Sequence, residues 1–464
     1  MGVAVSNWCL ARAVAREGQL GVVSGTGLAV VFARRLQQGD AGGHLRRAAG
    51  AFPFPEVARR VVDQFFVEGG KSDTKPFKPT PQLDWPVSPE LTDLTVLANF
   101  CEVWLAKEGH DGWVGVNYLE KIQLPMLAQL FGAMLAGVDV VLIGAGIPRY
   151  VPGVLDGLAR WEPVEMRIDV DGAQAGEEWV SRFDPSRYPA PQTSLKRPTF
   201  LAIVSSATLA MTLARKSNGQ VDGFVVESSV AGGHNAPPRG VMQLSPSGEP
   251  VYGTRDDVEL DKIRALDLPF FLAGGESAPG KLDAAIALGA SGIQVGTAFA
   301  FCDESGITPD YKQRVIETSQ AEGIRVFTDP AASPTSFPFK VVQLPGTLSD
   351  HDVYTSRRRV CDLGYLRKAY RKPDGTLGHR CPAEPGEAYV RKGGKIDDTT
   401  GRKCVCNALF ATVGQAQRLT QTASLEPALL TAGSTQIDLQ RFCKPGATSY
   451  KAVDVIRQLL RDHA

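Results

Sequence analysis

The stretch Pro269–Phe299 reads PFFLAGGESAPGKLDAAIALGASGIQVGTAF, and its pattern decides the fold. Two short apolar runs in it each end in glycine, at Gly274-Gly275 and at Gly296-Thr297. A helical pattern lies between the runs, and the free N–H groups at the start of such a helix favour an anion. The stretch therefore predicts two neighbouring βα units of a parallel sheet, with a phosphate site at their strand ends.

Seven runs of the chain are apolar on both faces, as buried parallel strands are, and helical patterns separate them. The runs are Leu20–Ser24, Trp113–Asn117, Asp139–Gly144, Phe200–Ser205, Gly223–Glu227, Pro269–Ala273 and Gly292–Gly296. A closed barrel needs eight strands, and the helix predicted at Trp8–Arg16 has no strand before it. We therefore predict an α/β fold, a (β/α)8 TIM barrel whose first strand is truncated at Met1. An open doubly wound sheet is the alternative.

The remaining segments define the predicted domain organisation. Residues 1–345 are expected to form the barrel, and residues 346–464 a cysteine-containing C-terminal extension. Residues 29–97 show no clear βα unit and are interpreted as a long insert after the second strand. Such an insert on the loop face of a barrel is either a lid or rim of the site or a solvated decoration.

Composition excludes several classes of protein. The 464 residues contain 50 Lys and Arg and 50 Asp and Glu, so a basic nucleic-acid footprint is not expected. No uncharged apolar run approaches the roughly 20 residues of a membrane span, and the N-terminus does not have the charged head of a signal peptide. Eight cysteines are too dilute for a disulfide scaffold. The default interpretation is a cytoplasmic enzyme with reduced thiols.

His234 is the candidate catalytic residue. A strand ending at Glu227 continues into the loop Gly232-Gly233-His234, at the strand-end face where barrel enzymes place their chemistry. Flanking glycines keep the approach open to a planar ring. An imidazole there can take a proton from a weak carbon acid or donate one to a product. A surface loop histidine is the alternative.

Other strand ends carry residues suited to a ligand. Asn117 ends a predicted strand, where its amide can bond a heterocyclic ring or ribityl hydroxyls, or simply form a turn. Asn99 and the pair Ser205-Ser206 are weaker candidates of the same kind. The glycine-containing segments 24–27 and 144–146 predict turns that come close to a ligand.

Together these residues resemble the nitronate monooxygenase family, the FMN-dependent barrels once called 2-nitropropane dioxygenases. The flavin-type enoyl-ACP reductases belong to the same superfamily. The resemblance runs from Met1 to about Thr297 and rests on the opening MGVAVSNWCLARAVAREGQLGVVSGTG and on GVNYLEKIQLP, AGGH, LAGGE and GIQVGTAF.

This resemblance implies FMN as the cofactor. Gly274, Gly275, Gly296 and Thr297 would hold its phosphate, and Gly2, Asn117, Gly232 and Gly233 would lie along the flavin. His234 would act beside the ring as base or proton donor.

The implied activity is oxidation of alkyl nitronates with molecular oxygen. An NAD(P)H-dependent reductase of enoyl thioesters is the alternative, because Ser205-Ser206 stands where nitronate monooxygenases tend to carry lysine. A flavin-binding or carrier-binding interaction module is the non-enzymatic alternative. The basic segments 357–359 and 391–395 have two interpretations. They contact the phosphate of an acyl carrier or of CoA, or they form a solvated face. A homodimer is left open.

Four cysteines of the extension raise the question of a metal. Cys361, Cys381, Cys404 and Cys406 could hold zinc or an iron–sulfur cluster. Their spacing lacks paired C-x2-C motifs, and Cys404 and Cys406 would point to opposite faces of an extended backbone. We therefore predict no metal ligands and expect reduced thiols there, with the metal question open.

Overall fold

The computed structural model describes residues 2–189, 194–321, 323–419, 424–435 and 438–460. Its strands are β1 Gly21–Ser24, β2 Val114–Leu119, β3 Val140–Gly144, β4 Val164–Arg167, β5 Val170–Asp171, β6 Val180–Phe183, β7 Thr199–Val204, β8 Gly223–Glu227, β9 Phe270–Ala273, β10 Gly292–Gln294, β11 Val326–Asp329, β12 Phe339–Val342, β13 Lys368–Arg371 and β14 Leu377–Arg380. The central sheet contains seven of these strands, in the order β1-β2-β3-β7-β8-β9-β10.

The helices are α1 Trp8–Arg16, α2 Leu28–Gln37, α3 His44–Gly50, α4 Pro55–Phe65, α5 Pro89–Lys107, α6 Met126–Leu135, α7 Val151–Ala159, α8 Ala207–Lys216, α9 Leu260–Arg264, α10 Lys281–Ala287, α11 Thr297–Ala300, α12 Pro309–Ala321, α13 His351–Ser356, α14 Gly386–Arg391, α15 Val405–Thr412 and α16 Ala452–Leu460. Within the described ranges, none of these helices has the length and apolar character needed to cross a membrane.

All neighbouring strands of the central sheet are parallel, and they follow one another in chain order. A doubly wound sheet reverses its strand order at a switch point, so this sequential order excludes that alternative. The seven predicted strands are confirmed, each within a few residues of its predicted ends. β1 and β10 lie at the two ends of the sheet, and no eighth strand joins them within the described residues.

Both faces of the sheet are buried, which explains why its strands read as continuous apolar runs. On one face Val140, Leu142 and Leu201 pack into a small inner cluster with Val225 and Ala273. The alternate residues of the same strands belong to the large core shared with the helices. Because side chains alternate along a strand, each strand contributes to two separate apolar clusters.

The N-terminal residues lie against the carboxyl end of β1. Ser24 N donates to Ser6 O over 2.8 Å, and Ser6 Oγ donates to Val22 O over 2.5 Å. Asn7 caps α1 by accepting a hydrogen bond from Leu10 N at 3.0 Å. This segment thereby places Gly2 beside the strand ends.

Residues 29–97 lie between β1 and β2, where the insert was predicted. They belong mainly to α2, α3, α4 and the first half of α5, which pack into the main core. The 19-residue α5 is buried along most of its length. All of residues 29–97 lie in the described ranges, and none of them lines the cavity described below. Four apolar helix faces in this segment pack on one another, which does not favour a solvated decoration, and the role of the segment as a lid or rim stays a prediction.

The C-terminal extension packs on the rest of the chain rather than apart from it. Phe410 and Leu429 join the main core, and β13 pairs in parallel with β5. Leu430 and Tyr450 belong to a second core with residues around α11 and α12. Part of this region therefore reaches the strand-end face, where it contributes to the candidate site.

Candidate active site

A cavity of about 330 Å³ lies at the carboxyl ends of the parallel strands. Its volume is at the lower end of the range for small-molecule sites, which is about 300–1,000 Å³. Its walls are mainly apolar, with a few polar groups that face inward. The lining residues from the strand ends and their loops include Gly2, Thr26, Gly27, Asn117, Gly144, Ala145, Gly146, Ser205, Glu227, Gly232, Gly233, His234 and Gln294.

His234 is held in place by the segment that contains β12. Asn235 N donates to Pro338 O and Lys340 N donates to Gly233 O, each over 2.9 Å. The imidazole ring stands edge-on to Phe339, with 4.8 Å between the ring centroids. The loop and the ring are thus fixed from both sides, as a group that must meet a substrate requires.

Ser333 orients the imidazole. Its Oγ lies 2.7 Å from His234 Nε2 and 2.8 Å from Thr335 Oγ1, and its side chain is fully buried. No partner for His234 Nδ1 is found in the described part of the chain, so that nitrogen is available to a ligand. Ser333 is a positioning residue that the sequence did not reveal, because 99 residues separate it from His234.

The pKa of His234 is lowered to about 3, chiefly by burial and further by the Lys121 ammonium. The pKa of Lys121 is itself lowered by burial, to about 8. The imidazole is therefore neutral at physiological pH, with one ring nitrogen unprotonated.

A buried carboxyl also lines the cavity. Glu227 ends β8, and burial raises its pKa to about 7. A carboxyl with this pKa exchanges its proton near neutral pH, which is typical of functional sites. The sequence placed Glu227 at the strand end without giving it a role.

Asn117 lies in the cavity wall, although β2 continues two residues past it, to Leu119. Its Nδ2 donates to Leu142 O over 3.3 Å, which leaves Oδ1 for a ligand. Ser205 also lines the cavity, whereas Ser206 caps α8 through Leu209 N. The prediction for Asn99 is wrong, because this residue lies within α5 and bonds Tyr118 away from the cavity.

The predicted phosphate residues lie beside the cavity rather than in its lining. Gly274 follows β9 with a φ of +99°, a conformation open to glycine, and a Cβ there would meet Ser228 Oγ at 2.2 Å. Gly275 has a φ of +78°. At Gly296 a Cβ would find no atom within 4 Å. The intervening helix α10 begins at Lys281, two residues later than predicted, and has only seven residues.

A segment of the C-terminal extension joins these residues to the cavity. Gly433 N donates to Thr297 Oγ1 over 2.9 Å, and Gly233 N donates to Thr431 Oγ1 over 2.8 Å. Residues 431–433 therefore link Thr297, one of the predicted phosphate residues, to the loop that carries His234. The apolar run 428–430 is followed by Gly433, which is the same pattern as at the predicted strand ends. This pattern could have indicated from the sequence that the segment lies near the site.

The extension also supplies one wall of the cavity. The residues concerned are Tyr365, Leu366, Val405, Cys406, Leu409, Phe410 and Thr431. These positions carry no motif, so sequence reasoning missed them. Together with the strand ends, they define an α/β protein with a mainly apolar cavity, a neutral histidine and adjoining glycine loops.

Comparisons with known proteins agree with this class of site. Residues 162–331 match the family model for nitronate monooxygenase. A probable nitronate monooxygenase of Bacillus subtilis is 34% identical over 128 residues, which are 28% of this chain and 35% of the relative. The nitronate monooxygenase of Pseudomonas aeruginosa is 32% identical over 125 residues, covering 27% and 34%. The matches thus span about a third of these relatives. These matches confirm the resemblance to the nitronate monooxygenase family that the sequence predicted, with the family model matching residues 162–331.

Two solved structures align over 99% of the chain. FabK from Thermotoga maritima aligns with a TM-score of 0.48, 16% identity and 89% of its own length. A nitroalkane oxidase from Streptomyces ansochromogenes aligns with a TM-score of 0.43, 17% identity and 93% of its length.

Proposed function

We propose that this chain is an FMN-dependent oxidoreductase that oxidises alkyl nitronates with molecular oxygen. The observation that carries the proposal is the neutral imidazole of His234, oriented by Ser333 at the wall of a mainly apolar cavity. The family of residues 162–331 supports the same class of reaction.

The residues present fit a flavin nucleotide. In this proposal a flat ring lies between the apolar walls of the cavity, and glycines at its edges leave room for close backbone contact. A Cβ at Gly233 or at Gly296 would meet nothing within 4 Å, so space exists beside both loops. In this proposal Asn117, Gly2, Gly232 and Gly233 lie along the ring, while Gly274, Gly275, Gly296 and Thr297 surround the phosphate.

The protein's own contribution is placement and proton transfer. Bound FMN would supply the redox chemistry, accepting electrons from the substrate and passing them to oxygen. His234 Nδ1 takes the proton from the carbon beside a nitro group when the substrate enters in its neutral form. The bond to Ser333 holds the ring at a constant angle, and the apolar walls exclude water from the reacting carbon.

An NAD(P)H-dependent reductase of enoyl thioesters is the second candidate. Ser205 favours it, because this hydroxyl lines the cavity at the end of β7. The two activities differ in the source of electrons, so a spectroscopic titration separates them.

The test is an anaerobic absorbance titration of the purified protein with NADH, with NADPH and with a nitronate, each added separately. We expect a flavin spectrum that only the nitronate bleaches. Bleaching by NAD(P)H would overturn the proposal in favour of the reductase. Absence of a flavin spectrum after reconstitution with FMN would overturn both and favour a binding module.

Glu227 makes the binding of an anionic substrate depend on pH. Since its pKa is about 7, the carboxyl is neutral below that pH and negatively charged above it. The charged form repels a nitronate in the same cavity, so we expect the KM to rise by about tenfold between pH 6 and pH 8. Steady-state kinetics over this range measure the effect.

The matched variants are Glu227→Gln, in which the rise in KM is absent, and Glu259→Gln, which alters an exposed carboxyl and keeps the rise. His234 contributes no inflection in this range, because its pKa is about 3. A pH-dependent KM that persists in Glu227→Gln would remove Glu227 from the site.

A further inference from the structure

Four cysteines from three separate segments meet around one small cavity in the extension. Cys361 precedes β13, and Cys381 follows β14. Cys404 is the residue directly before α15, and Cys406 lies in the first turn of that helix. All four line the same cavity, although 45 positions separate the first from the last. We call these residues the four-cysteine cluster. The remaining four cysteines of the chain do not line this cavity.

The size of the cavity suits a single ion. Its volume is about 10 Å³, which is close to that of one water-sized sphere. Apart from the thiols, its lining is largely apolar and includes Leu363, Leu366 and Val405. A set of cysteine side chains gathered around a small, largely apolar pocket is typical of a closed structural site.

Two guanidinium groups lie close to the four-cysteine cluster. Arg367 lines the cavity and acts on Cys361, and the buried Arg357 acts on Cys404. Arg357 is itself held by Glu426, with 2.7 Å between Nε and Oε2. The charge of Arg357 is thus balanced by Glu426, and Arg367 is the cation in the cavity lining that would partly offset the negative charge of four thiolates around a divalent cation.

We propose that the four-cysteine cluster binds one Zn²⁺ ion in a closed tetrahedral site. The sequence argument against a metal assumed an extended backbone at Cys404-Val-Cys406. In the structure α15 begins at Val405, so both cysteines lie at the start of one helix and face the same cavity.

The side chains of the four-cysteine cluster are not arranged as zinc ligands in the structure, so the proposed zinc form requires them to move. In the part of the chain that the structure describes, no group of three or more His, Cys, Asp or Glu side chains is arranged to hold a metal ion. Cys361 and Cys381 lie close enough to influence each other's pKa, and Asn407 Nδ2 lies 3.7 Å from Cys404 Sγ. The proposed zinc form therefore requires rotation about χ1 of the cysteines, which would bring four thiolates to the roughly 2.3 Å of a Zn–S bond.

The zinc would stabilise a wall of the active site. Leu366, Val405 and Cys406 line both this small cavity and the large cavity that contains His234. An ion that ties α15 to the segments at β13 and β14 therefore fixes the position of that wall. The metal proposal does not depend on the reaction, because it rests on the arrangement of the cysteines alone.

Metal analysis of the full-length protein tests the proposal. We expect about one zinc per chain after purification without added metal, measured by inductively coupled plasma mass spectrometry. The variant Cys381→Ser should lose the zinc, whereas Cys443→Ser, which changes a cysteine outside the cluster, should keep it. Cys381→His should retain zinc, because imidazole also ligates this ion.

A second measurement covers the case in which Cys381→Ser does not fold. The wild-type protein is titrated with an organomercurial, and released zinc is followed with a chromophoric chelator. Release of one zinc per chain as the cluster thiols react supports the site. Iron with inorganic sulfide, no metal at all, or a disulfide that joins Cys361 to Cys381 would each overturn it.

Discussion

The variant His234→Ala should keep its flavin and lose turnover of a nitroalkane by about 10²-fold or more, the scale of general acid–base catalysis. The imidazole Nδ1 is the proton acceptor in the proposed reaction, and alanine offers no replacement. The side chain lies at the cavity wall, while the glycine loops that would hold the cofactor are unchanged by the substitution. Stopped-flow absorbance and steady-state kinetics measure the effect.

Two controls accompany this variant. His351→Ala changes an exposed histidine of α13, outside the site, and should have wild-type turnover. A nitronate supplied already deprotonated should be affected less than the neutral nitroalkane, because the proton has left before binding. Equal turnover of wild type and His234→Ala with the nitroalkane would remove the histidine from the mechanism.

The variant Gly296→Val should fold normally and lose FMN. A Cβ at this position would meet no protein atom within 4 Å, and the backbone has a negative φ, so the substitution introduces little strain. The added side chain instead fills the space assigned to the phosphate. We expect the dissociation constant for FMN to rise by at least about tenfold, which corresponds to about 1.4 kcal/mol.

Flavin content after dialysis and fluorescence titration with FMN measure this effect. Gly50→Val is the matched control, since a Cβ there also meets open space but Gly50 ends α3, outside the site. A Gly274→Val variant is less informative, because a φ of +99° makes any side chain strained. Wild-type affinity for FMN in Gly296→Val would refute the phosphate assignment.

Much of the fold could be predicted because its signals are local. Apolar runs such as Gly223–Glu227 coincide with β8, and the helix Trp8–Arg16 is found with its predicted bounds. The small antiparallel pair of β4 and β6 was missed, since each strand has only four residues and lies among polar residues. The helices of residues 29–97 were missed for another reason: their burial comes from packing on one another.

Part of the candidate site could also be predicted from local sequence patterns. His234, Gly232 and Gly233 follow directly from a strand end, and the structure places all three in the cavity with Asn117 and Gly2. The prediction for Asn99 was wrong because a short apolar run can belong to a helix as well as to a strand. Asn99 lies in α5, which with 19 residues is too long for a strand.

The sequence by itself determined the order of the parallel strands and the positions of the glycine loops and of His234 at their ends. These features depend on residues that are neighbours along the chain, where periodicity and glycine content carry the information. Only the tertiary structure decided that Ser333 bonds His234 and that the C-terminal extension walls the cavity. It also brought the four-cysteine cluster together. These contacts join residues from about twenty to several hundred positions apart, and their partners are chosen by packing in three dimensions, which no local pattern records.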